Sequence, residues 1–302
     1  MLRRGDGGVC DMAASAQKLD PMIRCLKLTL EYDGTRYHGW QSQKNSRTVQ
    51  DALTASARDV LNTAVEVGGA GRTDAGVHAL AQVAHLKFRV LGSQFRVVAR
   101  TSRTPATRNL KPETRDLKLL RDQLNKTLPS DIAVLEVEEA DAGFHARHDA
   151  VCRYYLYQVA SRKTAFSKRF AWWVKEPLDV AAIQEAVKLL LGRHDFAAFG
   201  EKRGEKKSTV VEVYECSLSV AGELILIRIG ASHFLWKMVR RLIGSLVEIG
   251  RGNLNPEVFE RMLTKQQSSA AAWTAPASGL FLEKVTYSDG DLPGELRPVL
   301  WV

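Results

Sequence analysis

A loop at positions 71–78, with sequence GRTDAGVH, brings two glycines, an arginine, a carboxylate and a histidine together directly after an apolar run. Glycine reaches backbone angles that are closed to other residues, so Asp74 can lie on a tight connection that projects into a cleft. Arg72 supplies a fixed positive charge nearby, and an ionised carboxylate can serve as a nucleophile. The alternative is a surface turn in which Asp74 caps the backbone and Arg72 is solvated.

A second candidate is Arg240, which shares one side of a predicted helix with Trp236, Ile243, Gly244 and Val247. An arginine on an apolar stripe needs a partner. In a partly buried cleft it would keep a carboxylate ionised by charge pairing. The alternative is an arginine whose stem covers the stripe while its charged end reaches water.

The elements around the loop follow from hydrophobic periodicity. Alternating apolar residues predict a strand from Leu26, and a helical stripe with a capping-box start predicts a helix over 48–62. Strands are predicted over 64–69 and 82–90 on either side of the loop. Asp74 is therefore expected between two strands, at one rim of a sheet.

The remaining pattern repeats this plan. We predict a helix over 117–128, strands over 132–138, 152–160, 209–220, 223–231 and 281–287, helices over 180–191 and 234–249, and a short helix after Pro256. The fold class is α+β, with two similar halves, each a mainly antiparallel sheet with helices on one face, and the active-site cleft between them. The expected divisions are a disordered tail at 1–21, halves at 22–145 and 146–290, and a C-terminal tail at 291–302.

Composition indicates a protein that is not embedded in a membrane. The 302 residues are 45% hydrophobic and 25% charged, and no run approaches the roughly 20 apolar residues of a membrane span. The 43 Lys and Arg against 34 Asp and Glu give a net charge of +9, which favours a polyanionic partner. A merely basic protein without such a partner is the alternative.

Cysteine and histidine spacing gives no sign of a metal site. The four cysteines are widely separated and form no C-x-x-C pair, which also disfavours a disulfide framework and fits a reducing cytoplasm. His78, His145 and His148 lack the spacing of metal ligands or of a hydrolytic site, so polar structural roles are expected for them.

Two basic segments stand out from this plan. The stretch at 91–115 is long, basic and interrupted by proline, and the loop at 201–207 is charged and contains glycine. Solvated loops are the default expectation for both segments. Contact with RNA phosphates is the alternative for each.

The aspartate loop resembles the active-site motif of the TruA family of tRNA pseudouridine synthases, and the resemblance extends over residues 24–288 apart from the stretch at 91–115. Further segments similar to the family occur in order at 31–35, 39–41, 144–147, 153–157, 191–196, 238–240 and 279–282. The similarity implies the pseudouridine synthase fold and a reaction that needs no cofactor and no metal.

The resemblance also implies residue roles. Asp74 corresponds to the family's catalytic nucleophile, Arg240 to the arginine that pairs with it, and Tyr155 to the active-site tyrosine, although a core tyrosine is the alternative. Arg72 corresponds to the arginine that flips the base and binds phosphate. We place five further residues with Arg72 in substrate binding: Thr73, Gly76, His78, Trp40 and Gln41. For Trp40, a place in the core is the alternative.

The implied function is isomerisation of uridine to pseudouridine in the anticodon stem-loop of tRNA, at tRNA positions 38–40, by a cytoplasmic homodimer. A catalytically inactive RNA-binding protein of the same fold is the second hypothesis. RNA binding alone needs basic and aromatic groups, whereas a carboxylate facing a polyanion would repel it. The presence of Asp74 beside the basic candidates therefore favours the enzyme.

Overall fold

The computed structural model describes residues 21–91, 112–200, 208–264 and 270–300. Within these ranges the strands are β1 (Pro21–Tyr32), β2 (Val65–Gly69), β3 (His78–Leu91), β4 (Ile132–Ala140), β5 (Cys152–Ala160), β6 (Trp172–Trp173), β7 (Gly192–Asp195), β8 (Val210–Ala221), β9 (Leu224–Ala231) and β10 (Leu280–Thr286). The α-helices are α1 (Val49–Leu61), α2 (Pro112–Thr127), α3 (Val180–Lys188), α4 (Met238–Gly250) and α5 (Pro256–Thr264).

The strands of both halves form one sheet, in the order β4-β1-β3-β10-β5-β9-β8-β7, with β2 on β3 and β6 on β5. Pairing is antiparallel except between β10 and β3 and between β5 and β6. The α+β class is therefore confirmed. The halves share a single sheet rather than carrying separate ones, because β10, near the C-terminus, lies between β3 and β5. The division at 145/146 stays a prediction.

The sheet buries both of its faces around β5, whose nine residues are all buried. Tyr155 and Tyr157 belong to the main core beneath the helices, whereas Leu156 belongs to a second cluster on the opposite face. Leu296 and Val299, in the predicted C-terminal tail, pack against this second cluster. Burial on both faces explains why β5 carries apolar and aromatic residues on both sides, although Arg153 and Gln158 are also buried in it.

Several predicted elements start at other residues in the structure, and two of these differences bear on the site. The strand predicted over 82–90 begins at His78, which leaves 70–77 as the loop that carries Asp74. The helix predicted over 234–249 begins at Met238, because Lys237 adopts a left-handed backbone conformation with φ 59°. The chain before Lys237 is therefore free to line a cleft.

Several predictions fall on residues outside the described ranges. These are the disordered tail up to position 20, most of the basic stretch at 91–115, and the charged loop at 201–207. Pro21, the last residue of the predicted tail, already belongs to β1. Across the described parts of the chain, no helix combines the length and the apolar character that a membrane span requires.

Candidate active site

A cleft of about 1060 Å³ opens beside the aspartate loop. Its walls are the loop itself, Tyr155 of β5, and the segment from His233 to Arg240 that leads into α4. Among the residues that the structure describes, its charged lining consists of five cations and one carboxylate, namely Arg72, Arg147, Arg153, Lys237 and Arg240 with Asp74. A cleft of this size and sign suits a nucleotide on a polyanionic chain.

Hydrogen bonds to buried side chains hold the aspartate loop in place. The side chain of Gln82, which is fully buried, accepts from the Gly71 amide at 3.2 Å and donates to the Gly71 carbonyl at 2.9 Å. Thr73 shares a 2.8 Å hydrogen bond with the hydroxyl of Tyr32. The loop therefore reaches the cleft with its backbone fixed on both sides of Arg72.

The backbone of the 39–41 segment lies close against the backbone of the aspartate loop. The Trp40 amide donates to the Thr73 carbonyl at 3.1 Å. Gly39 makes this contact possible, since it has φ 95° and a Cβ there would lie 2.5 Å from the Thr73 carbonyl oxygen. The 39–41 segment thus positions Asp74 through the main chain.

We expect the substitution Gln82→Leu to lower the free energy of unfolding by about 2 kcal/mol, because it removes the side-chain partners of the half-buried amide and carbonyl of Gly71. Urea denaturation followed by tryptophan fluorescence measures the change. Gln184→Leu on the exposed face of α3 is the matched control and should change stability by less than about 0.5 kcal/mol. Equal effects of the two substitutions would show that Gln82 does not hold the loop.

Arg240 and Asp74 form an ion pair, with 3.8 Å between Nη1 and Oδ2. Both side chains are mostly buried, at 17% and 23% exposure. Arg240 Nε donates to the Ala275 carbonyl at 2.7 Å, and the Ala275 amide donates to the Arg240 carbonyl at 3.0 Å. This second anchor fixes the guanidinium, so its charge faces Asp74 in one orientation.

Gly244 allows that anchor to form. A Cβ at this position of α4 would lie 1.5 Å from the Trp273 carbonyl oxygen. The glycine thus lets the 273–275 segment press against the helix one turn after Arg240. This close packing explains why a glycine occurs on the apolar stripe of α4 that also carries Arg240.

Tyr155 lies on the cleft wall with its ring edge against Phe234, at 5.1 Å between centroids and 85° between planes. It is 8% exposed. Burial, with smaller contributions from Tyr32 and the negative charge of Asp74, raises the pKa of the Tyr155 phenol above its ordinary value. The phenol is therefore protonated at neutral pH and can donate a hydrogen bond in the cleft.

Arg153, two residues earlier in β5, connects three stretches of the chain, around Ala70, Arg147–Ala150 and Ser232. Its guanidinium donates to the carbonyls of Ala70, Arg147, Ala150 and Ser232. The side chain is 8% exposed and has no ion pair within the described residues. Ala70 directly precedes the aspartate loop, so this buried cation links the loop to both halves of the sheet.

The substrate-binding predictions divide into two groups. Arg72 and Gln41 line the cleft, and Gln41 is held by a 2.8 Å hydrogen bond to Gln50. Thr73 also borders the cleft, but its side chain is buried on Tyr32, so it supports the loop.

Three further residues predicted to bind substrate, Trp40, His78 and Gly76, do not line this cleft, and their role in binding stays a prediction. Trp40 is 1% exposed and its ring packs against Gly69. The ring therefore lies in the core, which is the alternative given for this residue above. His78 is 1% exposed; its Nδ1 accepts from the Gly34 amide and its ring stacks on Phe281. Gly76 serves the turn, with φ 77°. The sequence of an irregular loop has no regular period, so it does not indicate which of its side chains are buried.

The structure brings to the site several residues for which the sequence indicates no functional role. Gln82 gave no signal, since it reads as one polar position in a strand. Arg147 and Arg153 lie in segments similar to the family for which the resemblance implies no role, and Lys237 falls within the helix predicted over 234–249. Their common feature is proximity created by the sheet order, which periodicity does not reveal.

Three histidines, His85, His145 and His148, cluster outside the cleft lining, whereas His38 and His233 belong to that lining. His145 lies between His85 and His148, with ring centroids 4.6 Å and 4.2 Å apart. Burial lowers the pKa of His85 to about 4, and nearby His145 lowers it further. No cluster of three or more His, Cys, Asp or Glu that could hold a metal occurs among the residues that the structure describes.

Comparison with known proteins decides the family. A family model described as tRNA pseudouridine synthase matches residues 29–149 and 186–288. The chain belongs to the tRNA pseudouridine synthase family. Its activity is that of an isomerase acting on uridine in tRNA. The matched ranges contain both partners of the ion pair, Asp74 and Arg240.

Individual relatives cover nearly all of the chain. A tRNA pseudouridine synthase A from Geotalea uraniireducens is 36% identical over 88% of this chain and 100% of the relative. A tRNA pseudouridine synthase A 2 from Clostridium perfringens is 35% identical over the same shares. One from Bacillus cereus is 34% identical over 86% of this chain and 98% of its own length. These relatives place the chain in the TruA type.

Among solved structures, an H/ACA ribonucleoprotein bound to a substrate RNA containing 2′-deoxyuridine aligns over 74% of this chain and 44% of that chain. Its TM-score is 0.32 at 10% identity. This likeness is too distant to support an inference about the site.

Proposed function

We propose that Asp74 is the nucleophile with which this tRNA pseudouridine synthase isomerises uridines of the anticodon stem-loop. The observation that carries the proposal is the ion pair of Asp74 with Arg240 inside an otherwise cationic cleft. The Arg240 charge favours the ionised carboxylate, which is the reactive form. The surrounding cations offset the repulsion between this carboxylate and the RNA backbone.

The reaction is a rearrangement within one nucleoside. The bond between N1 of uracil and C1′ of ribose breaks, the freed base turns, and C5 joins C1′. C5 loses its hydrogen as a proton and N1 gains one, so electrons and atoms balance without an oxidant or a donated group. The protein must therefore supply a nucleophile, a place for the detached base and a route for one proton.

A uridine can reach Asp74 only after it leaves the RNA stack. Arg72 is exposed on the loop two residues before Asp74, and Gln41 faces the same cleft. We assign to Arg72 the stabilisation of the displaced nucleotide through its phosphate, and to Gln41 a polar contact with the nucleotide. Thr73 and Gly76 act through the loop backbone.

The Tyr155 phenol is assigned the role of a hydrogen-bond donor to the target base. We expect Tyr155→Phe to reduce the rate of isomerisation about 100-fold at every pH from 6 to 9, because a neutral phenol loses no proton in that range. Single-turnover rates across this range measure the effect.

Tyr214→Phe, which removes the same hydroxyl at an exposed position of β8, is the control and should leave the rate unchanged. A Tyr155→Phe variant with the wild-type rate would show that the ring only packs against Phe234. A loss confined to high pH would instead indicate that the phenolate is the acting form.

The substrate region is tested with tritium at C5 of uridine, because that hydrogen leaves during the reaction. One tRNA carries labelled uridine only in the anticodon stem-loop, and a second carries it only elsewhere. We expect tritium release from the first and none from the second. Release from the second alone would overturn the assignment to the stem-loop.

Two further features are proposed from the family, a homodimer and a cytoplasmic location. Sedimentation equilibrium of the purified chain tests the first, and a mass of one chain at micromolar concentration would contradict it. The inactive RNA-binding alternative is disfavoured, since the cleft keeps its carboxylate paired and facing the substrate path.

A further inference from the structure

The cationic lining of the cleft exceeds what its own carboxylate can neutralise. Among the described residues, five cations and one carboxylate line the cleft, and three of the five cations have partners there. Arg240 pairs with Asp74, Arg153 donates to four backbone carbonyls, and the Lys237 ammonium lies 4.2 Å from the centre of the Trp236 ring. The two remaining cations are Arg72 and Arg147.

The guanidinium groups of these two arginines make no hydrogen bond or ion pair with any residue in the described ranges. Arg72 is exposed, but Arg147 is half-buried, so its charge has lost part of its hydration. A charge in that position is costly unless an anion accompanies it. Burial lowers the pKa of the Arg147 guanidinium below its ordinary value, and the nearby cations Arg72 and Arg153 lower it further. An anion bound beside Arg147 would relieve both effects.

The backbone of Arg147 is fixed, although its side chain makes no hydrogen bond or ion pair within the described ranges. The preceding amide, that of Ala146, donates to His85 Nδ1 at 3.1 Å, and the Arg147 carbonyl accepts from Arg153. The Arg147 amide itself donates to His145 Nδ1 at 3.2 Å. The side chain is therefore presented to the cleft from a rigid base, as a binding group should be.

We propose that Arg147, together with Arg72, binds one backbone phosphate of the tRNA next to the uridine that enters the cleft. The inference rests on the proposed use of this cleft by Asp74. A phosphodiester fits the two guanidinium groups because its two free oxygens can each accept from a planar fork of N–H donors. Arg147 would bind this phosphate from the half-buried wall of the cleft, and Arg72 would bind it from the exposed loop.

The test measures the affinity of tRNA for the full chain carrying Asp74→Asn, so that the RNA stays unconverted. We expect Arg147→Gln in this background to weaken binding at least about tenfold at moderate salt and to reduce the slope of log K against log salt by about 0.9. Arg58→Gln, an exposed arginine of α1, makes the same change in net charge and should alter neither quantity. Arg147→Lys should keep the slope while losing affinity.

The phosphate is identified by replacing single phosphates of the anticodon stem-loop with neutral methylphosphonates. We expect one replacement, beside the target uridine, to weaken binding by the chain with Arg147 and to leave binding by Arg147→Gln unchanged. A replacement effect that is the same for both proteins at every position would overturn the proposal, as would an unchanged salt slope.

Failure of the nucleophile assignment would be seen separately, as continued isomerisation by the Asp74→Asn background. The methylphosphonate comparison compares two proteins with the same residue at position 74. It therefore reports on Arg147 whichever way that assignment falls.

Discussion

Asp74→Asn should abolish tritium release from tRNA labelled at C5 of uridine, with a loss of at least about 10,000-fold in the single-turnover rate, while the dissociation constant for tRNA changes by no more than a few-fold. The amide keeps the shape of the side chain but cannot attack as an anion. Binding persists because the phosphate contacts come from the arginines around it.

Asp141→Asn is the matched control, since Asp141 is exposed in the loop after β4 and does not line the cleft. The two variants have the same net charge, so a difference in turnover reports on position alone. Turnover by Asp74→Asn near the wild-type rate would mean that another group performs the attack. A parallel loss of turnover and of affinity would mean that Asp74 organises the RNA site instead.

Arg240→Met should lower the rate most at low pH and let it partly recover as pH rises. The guanidinium lies 3.8 Å from the Asp74 carboxylate, and removal of a nearby cation disfavours the charged form of a carboxyl group. Protonation of Asp74 then sets in at higher pH, so the acid limb of the pH–rate profile moves upward. Methionine retains much of the packing of the arginine stem.

Arg240→Lys separates charge from geometry. Lysine keeps the positive charge but loses the Nε donor to the Ala275 carbonyl, so we expect a lower rate with the acid limb near its wild-type position. A uniform fall for Arg240→Met at every pH, with the acid limb unmoved, would show that Arg240 acts by positioning or by contact with RNA.

The parts of the site that lie on one continuous pattern were predictable from the sequence. The Asp74 loop was bracketed by two apolar runs, and Arg240 occupied a helical stripe that also contains Gly244. Both patterns are local, since they depend on periods of two and 3.6 residues. The fold class and most helix and strand boundaries followed from the same periods.

The parts that depend on long-range contacts were not predictable. The placement of β10 between β3 and β5 joins the two halves in one sheet, and no periodicity encodes that order. It brings Arg153 under the aspartate loop and Arg147 to the cleft wall. Trp40 and His78 are a second case in which long-range packing decides the outcome. Their residue types suit contact with RNA, but the packing of neighbouring strands buries both side chains.

The most direct test of the central claim is a positional map of pseudouridine in one tRNA after reaction with the wild-type chain and with Asp74→Asn. We expect pseudouridine in the anticodon stem-loop with the wild-type chain and at no position with Asp74→Asn. Pseudouridine formed by Asp74→Asn at the same positions, or by the wild-type chain only outside the stem-loop, would contradict the assignment of this carboxylate and this substrate.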